Sequence, residues 1–290
     1  GGEDRLTGSI DVSLGNIAGT GRSAGARWER LRPGYTRASF SYTEPWVLGA
    51  PIDIGVAGGQ TVQDTIYTVS EGDVSVSARM GEHTRVAWTI GAERYVPGGG
   101  ETAVTSYRTG LGAVYDGTDD RWNPETGARV DAELEYSASD QEAGDPERSG
   151  RLRVDGWAFA AIRPGHVLAL RGLAEGIAST ADEVPYHRQL TLGGASTLRG
   201  YREEQFRGTR VAVGTVEYRL RLGRRSRILA FVDAGYYYRG GSNFAKDTKL
   251  GYGIGLRGET RLGIIALDYG LGEGDGLLDA KLHVGLTRDF

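Results

Sequence analysis

Hydrophobic and polar residues alternate with a period of two along much of this chain, which is the pattern of strands with one apolar and one charged face. In the stretch 211–222, Val216, Tyr218, Leu220 and Leu222 fall on one face, and Thr215, Glu217, Arg219 and Arg221 fall on the other. Val130, Ala132, Leu134 and Tyr136 oppose Arg129, Asp131, Glu133 and Glu135 in the same way, as Val74, Val76 and Ala78 oppose Asp73, Ser75, Ser77 and Arg79. Alternation and turn residues together predict fifteen strands, near 5–14, 22–32, 35–45, 51–61, 65–79, 83–95, 103–115, 127–139, 149–162, 166–177, 207–222, 226–239, 248–258, 261–270 and 278–290.

A soluble β-sandwich would alternate as well. Segments of about ten residues, joined by connections that are often tight and loose in turn, fit tilted strands crossing a bilayer better. The expected fold is therefore all-β, a transmembrane antiparallel β-barrel. The tight turns at 80–82, 163–165, 223–225 and 259–260 are assigned to the periplasm, and 140–147, 240–247 and the long 178–206 segment to the cell exterior. That sidedness puts Gly1 outside the cell and Phe290 in the periplasm. Bacterial single-chain barrels close with an even strand count, so a sixteenth strand is expected upstream of Gly1. Residues 1–290 are read as one barrel domain, with any periplasmic modules upstream. No signal peptide stands at Gly1, so an exported chain would be a mature or trimmed segment.

Composition narrows the function classes. Forty-seven glycines and 39% hydrophobic residues suit a β-rich globular or membrane chain. The 34 basic and 38 acidic residues are interleaved and give a net charge of -4, which leaves no footprint for nucleic acid. The absence of cysteine rules out thiol chemistry. No apolar window reaches about 18 residues, so a helical span is excluded while strands remain free to cross.

The stretch L-G-G-A-S-T-L-R-G-Y at 192–201 places Arg199 between Leu198 and Gly200 in a long loop of an otherwise all-strand sequence. It resembles the sixth extracellular loop of the outer-membrane protein assembly factor superfamily, also called the bacterial surface antigen family, to which BamA belongs. N-I-A-G-T-G at 16–21 is similar to the turn after that family's second strand, and S-Y-T-E-P-W at 41–46 to the end of its fourth. D-D-R-W-N-P-E-T-G at 119–127 is similar to the turn after the eighth strand, and F-V-D-A-G at 231–235 to the thirteenth. The resemblance spans nearly the whole chain. It implies sixteen strands and a sixth loop folded into the lumen, with Arg199 pinned to Glu217 and Asp233. Parity independently puts Glu217 on the polar face and Asp233 opposite Ala230, Val232 and Ala234. A guanidinium offers five donors in a rigid fork that two carboxylates can share. Gly193, Gly194 and Gly200 would allow the turns that bring the loop inward, with Leu198 and Tyr201 completing the motif. H-V-G-L-T-R-D-F at the end of the chain resembles the family's assembly signal, carried by His283, Gly285 and Phe290, and departs from it at Arg288.

Other chemistries find little support. Gly253, Gly255 and Gly258 complete a G-x-G-x-x-G match that sits inside a strand, not before a helix, so small inward residues making room for a lumen loop are the better reading. His83, His166, His187 and His283 are dispersed without metal-ligand spacing, and the aspartates at 116, 119 and 120 lack a calcium-loop pattern. No G-x-S-x-G elbow exists, and Glu133 with Glu135 reads as solvated lumen charge, not a glycosidase pair. No cofactor and no enzyme activity are expected. Trp46, Trp88 and Trp122 suit an interfacial girdle, while Trp157 shares parity with Arg153 and Asp155 and suits the lumen.

The resemblance implies a barrel that inserts other barrels into the bacterial outer membrane through a lateral seam. The alternative is a polypeptide-secretion pore of the two-partner type, or a passive channel, plugged by the Arg199 loop. A third reading is a structural or receptor barrel. Implied partners are outer-membrane lipids, unfolded barrel or secreted polypeptides, periplasmic modules and accessory lipoproteins.

Overall fold

The computed structural model describes residues 8–100, 102–140, 146–261 and 263–289. Within them the chain forms β1 (Gly8–Ile17), β2 (Arg22–Arg32), β3 (Tyr35–Glu44), β4 (Ile52–Gln63), β5 (Tyr67–Met80), β6 (Thr84–Pro97), β7 (Val104–Asp116), β8 (Gly127–Asp140) and β9 (Arg148–Arg163). There follow β10 (His166–Ser179), β11 (Leu190–Leu192), β12 (Phe206–Gly208), β13 (Arg210–Arg221), β14 (Arg227–Arg239), β15 (Ala245–Thr260), β16 (Gly263–Gly272) and β17 (Lys281–Asp289). Fifteen strands join edge to edge in the closed order β1-β17-β16-β15-β14-β13-β10-β9-β8-β7-β6-β5-β4-β3-β2, and β11 and β12 form a separate small hairpin.

Successive wall strands pair antiparallel, and the long registers show why the period of two was so clear. β13 and β14 pair without interruption from Arg210↔Tyr238 to Arg221↔Arg227, which keeps one parity of each strand inward throughout. Polarity is inverted relative to a soluble protein. Val216 and Tyr218 are 49% and 43% exposed, on the face a bilayer would cover, whereas their neighbours Glu217 and Arg219 are 3% and 5% exposed. The odd count makes β1 and β17 run in the same direction. They pair parallel over Asp11↔Thr287, Val12↔Arg288 and Ser13↔Asp289.

Predicted and observed strands differ mainly at their ends. The first runs Gly8–Ile17 instead of 5–14, and positions 5–7 lie outside the described residues. The strand predicted at 207–222 begins at Arg210, because Arg207 and Gly208 pair with Thr191 and Leu190 in the small hairpin.

The described residues fall into two compact units. The first lies within Gly1–Ala113, Leu134–Ser149 and Gly285–Phe290, and the second within Val114–Glu133 and Gly150–Val284. The inner face of the first unit carries small ion clusters. Arg108 binds Asp73 at 2.5 and 2.8 Å and Glu71 at 3.1 Å, and Glu29 lies between Arg27 and Arg37 at 2.9 and 3.0 Å. The second unit contains an apolar cluster in which Leu190, Leu192 and Leu198 of the long loop pack with Leu173 of β10 and Val211 and Val213 of β13.

At the other end of the second unit, the β7–β8 loop crosses to the β13–β14 turn. Buried Asn123 donates from Nδ2 to the Gly223 carbonyl at 3.1 Å, and Arg227 donates to the Trp122 carbonyl at 2.8 Å. The loop folds around its acidic residues: Asp119 accepts from the N–H groups of Glu125 and Thr126, and Asp120 from those of Asn123 and Trp122. These backbone bonds, Asn123 foremost, hold the Asp120 carboxyl below the usual carboxylate range.

The inverted polarity has a depth-dependent consequence. Val216→Arg, near the middle of β13, is expected to destabilise the barrel by about 2–4 kcal/mol, and Leu222→Arg, at the strand's end, by about 0–1 kcal/mol. Urea unfolding in vesicles measures both, and equal losses would contradict the assignment of the outer face.

Candidate functional site

The site is built from the connection between β10 and β13. Leu190 to Leu192 pair with Phe206 to Gly208, and the chain between them turns back on itself. Gly193, Gly194 and Gly200 take φ values of 121°, 98° and 92°, a region closed to most L residues. Thr197 stitches the turn by donating to the Gly193 carbonyl at 3.0 Å and accepting from the Gly193 N–H at 2.9 Å. The result projects Leu198 and Arg199 together, and both are buried, Arg199 at 5% exposure.

Arg199 meets two carboxylates on adjacent strands. Its Nε and Nη2 donate to Asp233 Oδ2 and Oδ1 at 2.8 and 2.7 Å, its backbone N–H donates to Oδ2 at 3.1 Å, and Nη1 donates to Glu217 Oε1 at 2.7 Å. Thr215 adds a hydroxyl donor to Asp233 Oδ1 at 2.8 Å. Glu217 also accepts from Arg219 Nε at 2.8 Å through its second oxygen. Two guanidiniums and two carboxylates thus share one buried network, with the Arg199 guanidinium carbon 3.6 Å from the centroid of the Phe231 ring. The geometry is bidentate on Asp233, which lysine could not reproduce.

The wall is moulded to the loop by missing side chains. A Cβ on Gly251 would overlap the Arg199 carbonyl, one on Gly270 the Gly200 N–H, and one on Gly235 the Leu198 and Leu192 side chains. Tyr201 then ties the loop to the wall a second time, its hydroxyl donating to the Leu250 carbonyl at 3.0 Å and accepting from the Glu273 N–H at 3.0 Å.

A family model described as the Omp85 superfamily domain matches residues 16–290. The chain belongs to the Omp85 superfamily. It is an integral β-barrel of the bacterial outer membrane. Among solved structures, BamA from Haemophilus ducreyi lacking POTRA domains 1-3 is similar at a TM-score of 0.68 and 14% identity, covering 95% of this chain and 65% of that one. CdiB from Escherichia coli is similar at 0.66 and 13% identity, with 98% and 59% covered. CdiB from Acinetobacter baumannii is similar at 0.60 and 16% identity, with 93% and 54% covered. The Omp85 chain described here therefore spans from about half to just under two thirds of those structures, and the likeness is one of fold. No curated protein sequence matches it.

Several contacts of this Omp85 loop were not read from the sequence. Arg171 on β10 is oriented by Asp155 at 2.8 and 2.6 Å and donates from Nη1 to the Ser196 carbonyl at 2.7 Å, a third tether. No local pattern in the sequence marks a partner for Arg171 in the loop. Arg219 lies near the rings of Trp157 and Phe159, with its guanidinium carbon 5.1 and 5.0 Å from their centroids, and the two rings stack on each other. Of the C-terminal residues singled out, His283 on β17 places Nδ1 3.7 Å from Glu203 Oε1 of the loop, Gly285 lies on the same strand two residues later, and Phe290 lies outside the described residues.

Two substitutions separate charge from shape. Asp233→Asn is expected to lower stability by about 3–5 kcal/mol, the range for breaking a buried ion pair, and to expose the loop to protease. Gly251→Ala should expose the same loop with every charge retained. Protection of residues 192–201 as complete as in wild type would refute the docked geometry.

Proposed function

We propose that this Omp85 barrel is an assembly factor that inserts other β-barrel proteins into the outer membrane through the seam at β17. The observation that favours this is the short seam: among the described residues three register pairs join β1 and β17, against the twelve residues of β13 that pair along β14. A strand entering lipid must have its backbone groups paired, since each unpaired group costs several kcal/mol there. An edge held this lightly can open and offer its own N–H and C=O groups to an incoming strand by β-augmentation. Gly285 in β17 brings no side chain to that edge. The work is an exchange of hydrogen bonds, with no covalent step, and its substrates are unfolded barrel polypeptides.

The second reading, a polypeptide-secretion pore or plugged channel, is favoured by a different observation. The 192–201 loop is held by discrete charged contacts from Asp233, Glu217 and Arg171, so it can leave as a unit.

The two readings separate in vesicles. A urea-denatured outer-membrane barrel is added to liposomes carrying this protein or its Arg199→Ala variant, and folding rate and single-channel conductance are recorded. Accelerated folding that is lost in Arg199→Ala is the expected result. No acceleration in wild type, with conductance that rises in the variant, would favour the pore.

A further inference from the structure

The connection between β16 and β17 turns back onto the outside of the wall. The inward positions of β16 are fixed by their neighbours: Asp268 binds Arg257 at 2.9 and 2.8 Å, a Cβ on Gly270 would meet the Gly200 N–H, and one on Gly272 the Tyr201 ring. Alternation then sends Tyr269 and Leu271 outward. Tyr269 is exposed, and its hydroxyl donates to the Leu277 carbonyl, so the 273–280 segment comes down over the outer face. Leu271 bears the mark of that cover: it is 7% exposed, whereas Tyr252, its pair partner on β15 and on the same face, is 46% exposed. The reversal begins at a tight turn in which Gly274 has a φ of 79° and the Gly272 carbonyl accepts from the Asp275 N–H at 3.2 Å.

The register of the wall sets the height of this segment. Leu271 pairs with Tyr252, and Tyr269 with Ile254. Along the outward face of β15, toward the end from which the Arg199 loop enters, Ile254, Tyr252 and Leu250 are apolar and Thr248 and Lys246 are polar, so the apolar band ends above Leu250. A tyrosine side chain reaches less far than the rise from Ile254 to Leu250, about 13 Å at the usual strand spacing. The carbonyl that Tyr269 holds therefore lies below the upper edge of the band. It belongs to the turn Leu277–Asp279, in which Leu278 is fully exposed and Leu277 mostly so. Leu282 and Val284, exposed on β17, continue the apolar surface beside them. The nearby charges are answered within the segment: Asp275 accepts from the Gly272 N–H and from Lys281 Nζ at 2.8 and 2.7 Å, and Asp279 from the Gly276 N–H at 3.1 Å.

We propose that Leu277 and Leu278 form a wedge that inserts into the acyl layer of the outer leaflet beside β16 and β17. The occupant of this surface is hydrocarbon, because the leucines continue the apolar face of the wall below its upper edge. Two adjacent leucines gain free energy in proportion to the apolar area they remove from water. The polar groups that travel with them do not oppose the move, since the Tyr269 hydroxyl and the Leu277 carbonyl satisfy each other and Asp275 is neutralised by Lys281. The wedge thereby ties the start of β17 to the bilayer, independently of the backbone pairing that ties it to β16.

The chain has no cysteine, so a single nitroxide reports on one position. Leu278→Cys and, separately, Lys246→Cys are spin-labelled in the full chain and reconstituted in phosphatidylcholine vesicles. Electron spin resonance then compares relaxation of each label by oxygen, which concentrates in hydrocarbon, with relaxation by a water-soluble nickel chelate. At 278 the effect of oxygen should exceed that of the chelate several-fold, and at 246, above the edge of the band, the order should reverse. Leu277→Asp added to the Leu278→Cys protein should raise access of the chelate several-fold. An unchanged ratio there would mean that the label itself seeks lipid, and would overturn the proposal. So would a label at 278 as open to the chelate as the one at 246, which puts the leucines in water, or one shielded from both reagents, which puts them against protein. If the Leu277→Asp variant does not fold, the contrast between 278 and 246 still decides the matter.

Discussion

Hydrocarbon offers nothing to a backbone N–H or C=O, so a sheet that crosses a bilayer must satisfy every strand from its neighbours. The architecture of this Omp85 chain follows from that constraint. Pairing around the wall consumes the backbone groups, and the strict alternation of a strand then sends every second side chain outward to lipid and the others inward. The outward set must be apolar. The inward set inherits nearly all the charge, which explains why Glu217, Arg219 and Asp233 are buried while Val216 and Tyr218 are exposed.

Charge confined to an interior has to be neutralised there. Arg108 with Asp73 and Glu71, Arg257 with Asp268, and Arg171 with Asp155 do this locally, wall residue to wall residue. The Arg199 network differs because its cation arrives from a loop. The wall presents Asp233 and Glu217 on neighbouring strands together with a hydroxyl from Thr215, and glycines at 235, 251 and 270 leave room for the backbone that carries the guanidinium. Position is therefore specified twice, by charge and by shape.

Much of the wall was legible in the sequence because burial and charge there obey one simple period. The same parity that exposed Val216 buried Glu217, and sixteen residues on it did the same for Asp233 against Val232. The loop motif was legible through its resemblance to a family, not through any period. Less could be read where partners are remote in sequence and no local pattern marks them. The Arg171 tether to Ser196, the Asn123 contact with the β13–β14 turn about a hundred residues away, and the hairpin of Leu190 to Leu192 with Phe206 to Gly208 all depend on how distant segments meet. Strand ends blurred for a related reason, since Arg207 and Gly208 could continue β13 or serve the hairpin, and only the packed loop decides between them.

Glu217 divides its two oxygens between Arg199 of the loop and Arg219 of its own strand. Were the loop to withdraw, Glu217 would still face a cation, while Asp233 would keep only the Thr215 hydroxyl. The two carboxylates are thus unequal as witnesses to the loop's presence. One keeps a cation when the loop departs and the other is left a buried charge without one, so it is the aspartate that makes withdrawal of the loop electrostatically costly.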